Sequence, residues 1–354
     1  MRGEQQAPQR PATDAPEQRK GSPGEGEQPR RRPAALAWLR FREAGVLGVL
    51  ALMCFVLSII TYNERLGGST FLTASNLADV ARNFSWIAIM AVGEVLVIIT
   101  AGIDLSVGAT LALSAVVLAK LISADHLALP LPLGIAAALA TATLVGAING
   151  TLVVHAKLPP FIATLGMMSI ARGLSHALCH AHPIGKFPRW FTDVLGKGAL
   201  LKVPYCVLIM AAVILAGTYL LGYSRWGRHI YAVGGNEEAA HFAGVNVRRI
   251  KFLVYTLSGL CCGIAGVLMA SYLGVAESTA ARGYELDVIA AVVIGGASLM
   301  GGSGTCFGAL LGAAIMGVLR NGLVLKNIAD YYQNISIGAV IIFAVLLDQL
   351  RRRS

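Results

Sequence analysis

Glu94, Arg172 and Asp104 carry formal charge inside, or at the edge of, long apolar runs. An ionisable side chain in such surroundings is costly and is retained for pairing or for a task. As structural groups, Glu94 or Asp104 would pair with Arg172, or Asp104 would cap a helix beginning at Leu105. As functional groups, they would line a polar route for a hydrophilic solute. Glu285 and Asp287 open a later apolar run, where carboxylates suit the positive end of a helix dipole. His176, Cys179, His180 and His182 spell H-x-x-C-H-x-H. His176 and His180 fall on one helix face, and imidazole with thiolate suits zinc or copper. No second half of a metal site is evident. These residues read as polar groups where a span meets its outer loop, and no metal is expected.

The stretch Gly296-Ala-Ser-Leu-Met-Gly301-Gly302-Ser303 comes close to a phosphate-binding loop. That loop needs a Lys before its Ser to reach the β- and γ-phosphates, and Gly302 stands there. No ATP site and no cofactor are expected on this chain, so ATP-driven work would fall to a partner. The stretch also echoes an earlier one. Gly102-Ile-Asp-Leu105-Ser-Val-Gly108 and Gly296-Ala-Ser-Leu299-Met-Gly-Gly302 share G-x-x-L-x-x-G, and both join two apolar runs. Glycines there permit tight turns or close backbone approach, and paired motifs of this kind accompany internal duplication in transporters.

The elements that must hold these residues are membrane helices. Of 354 residues, 56% are of the hydrophobic set and 40 more are glycine. A soluble domain reaches only about 45–50% with glycine included. Charged residues make up 14%, against about 25%. Such a composition excludes an ordinary soluble enzyme, a disulfide scaffold and a disordered regulator. Continuous rather than alternating apolar runs exclude a β-barrel. An all-α polytopic membrane protein remains. Cys54, Cys179, Cys206, Cys261, Cys262 and Cys306 lie in or beside apolar runs and read as small packing residues.

Ten candidate spans follow: Gly45–Tyr62, Trp86–Ile103, Leu105–Ile122, Leu131–Val154, Phe161–Cys179, Val203–Tyr223, Phe252–Val275, Val288–Met300, Cys306–Leu325 and Ile335–Leu350. Val288–Met300 is short and Ile335–Leu350 contains Asp348, so one of them is expected to be broken or re-entrant. Residues 1–43 read as a disordered tail with a basic flank, and 44–354 as the membrane domain. The net charge of +10 is concentrated in the tail, the loops and the end. That is the pattern of cytoplasmic flanks, not of a nucleic-acid surface. Arg30, Arg31, Arg32, Arg40 and Arg42 before the first span, and Arg351, Arg352 and Arg353 after the last, place both termini inside. Lys186, Arg189, Lys197 and Lys202, in a loop that should be external, run against the rule. Trp38, Trp86, Trp190 and Trp226 read as interface anchors.

The loop Ser224–Lys251 falls inside. Within it, Asn236-Glu237-Glu238-Ala239-Ala240-His241-Phe242-Ala243-Gly244 reads as a short helix. Asn236 is the N-cap, the two Glu suit the positive end, and Gly244 stops the helix. A capped helix among basic residues on that face has the form of a docking element.

From about Thr73 to Leu347 the chain resembles the membrane permease subunit of ribose-type monosaccharide ABC importers. The resemblance is carried by Val97-Ile-Ile-Thr-Ala-Gly-Ile-Asp-Leu-Ser-Val-Gly108, Thr164-Leu-Gly-Met-Met-Ser-Ile-Ala-Arg-Gly173 and Gly235-Asn-Glu-Glu-Ala-Ala-His-Phe-Ala-Gly-Val-Asn-Val247. Gly283-Tyr-Glu-Leu-Asp-Val-Ile-Ala-Ala-Val-Val-Ile-Gly-Gly296 and Gly301-Gly-Ser-Gly-Thr305 complete it. It implies a permease fold of about ten helices in a bacterial inner membrane. It also implies a second permease copy, a cytoplasmic ATPase dimer that holds ATP and magnesium, and a periplasmic sugar-binding protein. Residues 236–247 match the loop that docks on the ATPase. Ala101 departs from the family's usual Gly, and Glu94 from an uncharged polar residue. The histidine stretch and the long tail are further departures. The expected function is non-enzymatic passage of a monosaccharide or polyol by alternating access. The alternatives are a proton-coupled sugar transporter with Glu94 titrating, and a metal permease using His176 to His182.

Overall fold

The computed structural model of the chain describes residues 34–63 and 68–353. The tail of residues 1–33, with Arg30, Arg31 and Arg32, lies outside the described residues. So do the side chains of Trp38, Arg40, Arg42, Asp348, Arg351, Arg352 and Arg353.

Each of the ten apolar runs becomes a helix. They are α1 (Ala34–Ile60), α2 (Ala74–Ile99), α3 (Val107–Ile122), α4 (Leu131–Val154), α5 (Pro160–Cys179), α6 (Tyr205–Tyr223), α9 (Val247–Leu273), α10 (Tyr284–Ile294), α11 (Cys306–Leu325) and α12 (Asp330–Arg353). Two further helices, α7 (Arg225–Gly235) and α8 (Glu237–Phe242), occupy the connection between α6 and α9. Among the described residues, seven helices are long and apolar enough to cross a membrane: α1, α2, α4, α5, α6, α9 and α11. α3, with 16 residues, reaches about 24 Å at 1.5 Å per residue, short of a hydrocarbon core of about 30 Å. α10 has 11 residues and ends where Gly295 and Gly296 follow Ile294. The run Val288–Met300 is therefore a broken span, as its length suggests.

α2 is the axis of the bundle. Its apolar window is 83% buried, whereas that of α1 is 6% buried and faces outward. α2 starts at Ala74, twelve residues before the apolar run. Thr73 caps it by accepting from the Asn76 amide at 3.4 Å, Asn76 and Asn321 of α11 exchange amide hydrogen bonds of 3.1 and 2.9 Å, and Asp79 pairs with Arg82 at 3.0 Å. The polar first half hides this helix from a hydropathy reading. It also moves Trp86 from an expected interface into the core, where it is 2% exposed with its ring 5.7 Å from Tyr272. Trp190 and Trp226 remain exposed.

α4 and α9 cross with their backbones in contact. A Cβ on Gly146 would lie 3.0 Å from the Gly259 Cα, and one on Gly259 would lie 3.0 Å from the Gly146 Cα. Small residues at such a crossing let main chains approach where no hydrophobic drive operates between helices. All six cysteines are free, and five of them are buried.

At one end of the bundle, the connection after α5 is ordered by a π-helical turn, Phe191–Gly196, and a hairpin of Ala199–Leu200 with Val203–Pro204. Ile184 there exchanges two backbone hydrogen bonds of 2.9 Å with Ala276. Lys186 pairs with Asp125 at 3.0 Å, which neutralises one of the four cations that run against the topology rule. α7 and α8 stand at the opposite end, beside the connection between α4 and α5.

Candidate functional site

α8 forms where the sequence places it. The Asn236 side chain accepts from the Ala239 amide at 2.9 Å, and Glu237 and Glu238 fill the first turn. Ala240 is buried, and Phe242 is 80% exposed. Gly244 follows the helix at φ +85°, which a Cβ would strain. Lys251 of α9 ties the helix down through Glu237 at 2.5 Å. α8 borders a groove of about 1060 Å³, whose walls include Pro159, Glu238, His241 and Arg248. An apolar, exposed phenyl ring beside a groove of mixed charge is suited to receive a protein partner.

α7 connects this helix to the two glycine-rich breaks. The first break runs from Thr100 to Ser106 between α2 and α3, the second from Gly295 to Thr305 between α10 and α11. They meet directly, for the Gly302 amide donates to the Ile99 carbonyl at 2.9 Å. Gly234 of α7 packs where a Cβ would overlap the Ile99 carbonyl oxygen and stand 2.7 Å from the Gly302 nitrogen. Tyr231 of α7 donates to the Gly304 carbonyl at 2.7 Å. Burial pushes its phenol pKa up to about 12, with Cys306 adding to the shift. The echoed glycines thus serve two purposes. Gly296 and Gly302 take φ of +98° and +76°, whereas Gly102 and Gly108 allow close approach, Gly102 to the Tyr255 hydroxyl and Gly108 to Ala281 and Glu285. In the first break the left-handed position falls on Ala101, at φ +59°.

Within the first break lies a buried polar knot. The Asp104 amide donates to Glu94 Oε1 at 3.1 Å. Asp104 Oδ1 accepts from the Ser106 amide at 3.0 Å and the Ser106 hydroxyl at 2.6 Å. Asn149 of α4 donates to Ser106 Oγ at 2.9 Å and to Asp104 Oδ1 at 3.4 Å. Ser258 of α9 donates to Asp104 Oδ2 at 3.1 Å. Asp104 does not cap a helix at Leu105. α3 starts at Val107, and Asp104 holds the residue before it.

Arg172 pairs with neither carboxylate. It reaches the other way, donating to the Ser278 and Ala280 carbonyls at 2.7 Å each. The physical reason is that α5 brings it beside the loop before α10, where the Ser278 and Ala280 carbonyls accept no backbone hydrogen bond. Glu285 accepts from the Gly283 amide at 3.2 Å, at the start of α10. Asp287 pairs with Arg320 of α11 at 2.6 Å, and Arg320 lies 5.2 Å from the Tyr284 ring centre. His176 Nδ1 lies 2.9 Å from the Arg172 carbonyl, and His180 ends α5 in a left-handed conformation. Among the described residues no three metal-ligating side chains are grouped.

The sequence reading missed Asn149, Tyr255, Ser258 and Arg320. Arg320 offered the same signal as Glu94, a charge inside an apolar run. Asn149 was the one amide in its run. Nothing distinguished Ser258 and Tyr255 before α9 was laid against α2.

A family model described as the permease component of branched-chain amino acid transport systems matches residues 76–345. The ribose import permease protein RbsC of Escherichia coli strain K12 is 42% identical over 325 residues, 91% of this chain and 98% of that protein. The fructose import permease protein FrcC of Rhizobium meliloti is 38% identical, over 85% of each chain. The D-allose transport system permease protein AlsC of Escherichia coli strain K12 is 37% identical, over 84% of this chain and 90% of its own. No solved structure matches the chain significantly.

Proposed function

Since the chain belongs to this family of transport-system permease components, we propose that it is the membrane subunit of an ABC importer, passing a monosaccharide or related polyol across the bacterial inner membrane. It is a transporter component and not an enzyme. The family description names amino acids, but the relatives at 37–42% identity are named for ribose, fructose and allose, which favours a sugar. ATP and magnesium belong to a cytoplasmic ATPase dimer. A periplasmic binding protein delivers the sugar to the opposite face, and a second copy of the chain completes the pathway. Both termini lie in the cytoplasm, on the same side as α7 and α8.

The observation that carries this reading is the path from α8 to the breaks. α8 presents Phe242 and a groove, and α7 leads from it to Ile99, Gly302 and Gly304. An ATPase that moved α8 would therefore shift both breaks together. Glu94, Asp104, Arg172, Glu285 and Asp287 are the intramembrane polar groups that such a shift would rearrange. The experiment is co-purification with the partner ATPase. Phe242→Asp changes an exposed ring and leaves the fold intact, so it should sharply reduce ATPase recovery. Full recovery, with wild-type uptake, would refute docking at α8.

A further inference from the structure

Two carboxylates, Glu94 and Asp104, are wholly or almost wholly buried, with 0% and 2% exposure. Among the described residues no Lys, Arg or His nitrogen comes within ion-pair distance of either, and Arg172, the partner suggested by the sequence, is committed to carbonyls elsewhere. Two neighbouring unpaired anions, linked only through the Asp104 backbone amide, are untenable in such a setting, because burial and mutual repulsion both oppose the second charge. The hydrogen bonds show which group keeps its charge. Asp104 accepts from Ser106 twice, from Asn149 and from Ser258, the donor set of an ionised carboxylate. Glu94 accepts only from the Asp104 amide, through Oε1.

Three oxygens of this pocket have no partner: Glu94 Oε2, Asn149 Oδ1 and Tyr255 Oη. Asn149 is oriented into the pocket by its other amide atom, which reaches Asp104. Tyr255 abuts Gly102 on the same break. The remaining ionisable neighbours of Glu94 are Tyr255 and Cys262 of α9, which supply no positive charge. We propose that the Glu94–Asp104 pair binds a single proton, carried on Glu94 Oε2, so that the pocket holds one negative charge instead of two. A proton turns the orphan Oε2 into a donor, whereas Asn149 Oδ1 is an acceptor without a donor and the Tyr255 hydroxyl can accept or donate. A metal cation fits less well, because Asp104 already accepts four hydrogen bonds and only Oδ2 keeps a lone pair free. The proton does not drive transport. It lets the first break close onto α2, whatever solute the chain passes.

The test is infrared spectroscopy of the purified full-length chain in lipid nanodiscs at neutral pH, in sodium-free and sodium-containing buffer. The expected spectrum has a protonated-carboxyl stretch that shifts in D2O, disappears in Glu94→Gln and persists in Asp104→Asn. Glu94→Gln mimics the neutral acid, so its thermal stability at neutral pH should stay near that of the wild type. Should either variant fail to fold, the wild type decides alone, since its band must vanish on raising pH together with its thermal stability. No band at neutral pH would overturn the proposal in favour of a water-filled pocket. A band seen only without sodium would overturn it in favour of a metal-cation site. Loss of sugar uptake by the wild-type complex bears on the function above and leaves the band unaffected.

Discussion

Replacing Ala240 by Pro isolates the transmission of force from the rest of the fold. Ala240 sits in the interior of α8, and its amide donates to the Asn236 carbonyl at 2.9 Å. Proline removes that donor and drives its ring against the same carbonyl, at a cost of about 3 kcal/mol. Little opposes the cost. The Asn236 cap contributes about 1 kcal/mol, the partly exposed Glu237–Lys251 pair at most about 1 kcal/mol, and Ala240 buries only a methyl group. α8 should therefore unravel while the spans, which do not depend on it, insert normally. A net loss of only about 1.4 kcal/mol in the docking-competent state gives a tenfold drop, so uptake should fall at least about tenfold. The assays are membrane level by immunoblot, sugar uptake by cells, and recovery of the ATPase on the purified permease. Normal membrane level with poor recovery is expected. Wild-type uptake from the variant would show that α8 does not carry the stroke.

Other perturbations separate the links of the path. Gly234→Ala puts a methyl group onto the Ile99 carbonyl, an overpacking that costs about 1–3 kcal/mol. Thermal stability and uptake should fall while the ATPase still co-purifies, and unchanged uptake would break the link between α7 and the breaks. Arg320→Gln leaves Asp287, 3% exposed, without its cation, at a cost of about 3–5 kcal/mol. The double variant Asp287→Asn with Arg320→Gln should recover a large part of the lost thermal stability, and no recovery would mean the pair is not coupled. Tyr231 keeps its proton up to a pH of about 12 in the folded chain, against about 10 when unfolded. Its contribution is thus complete below pH of about 10 and lost as pH rises toward 12. Tyr231→Phe should flatten that alkaline decline in a melting series, and an unchanged decline would contradict the burial of the phenol.

The elements most legible in the sequence were those specified locally. The cap, acidic first turn and terminal glycine of α8 lie within nine residues, and each has one physical role. The apolar runs located ten helices, because length and continuity suffice to mark them. What stayed hidden depends on neighbours far along the chain. The first half of α2 is polar because Asn321 and the Asp79–Arg82 pair satisfy it, and a hydropathy reading sees only the polarity. Arg172 invited pairing with Glu94 or Asp104 because charges of opposite sign attract. Yet the carbonyls of Ser278 and Ala280, distant in sequence, were the groups left unfilled beside it. The two glycine motifs were visible as an echo, but their contact through Ile99 and Gly302 required the fold.

The most direct test of the account is uptake by proteoliposomes that contain the permease with its ATPase, with a sugar-loaded binding protein on the face opposite α8. Accumulation of sugar should require ATP on the α8 side and the loaded binding protein on the other. Accumulation should also survive collapse of the proton gradient. Accumulation by the chain alone, driven by a proton gradient and indifferent to ATP, would contradict it.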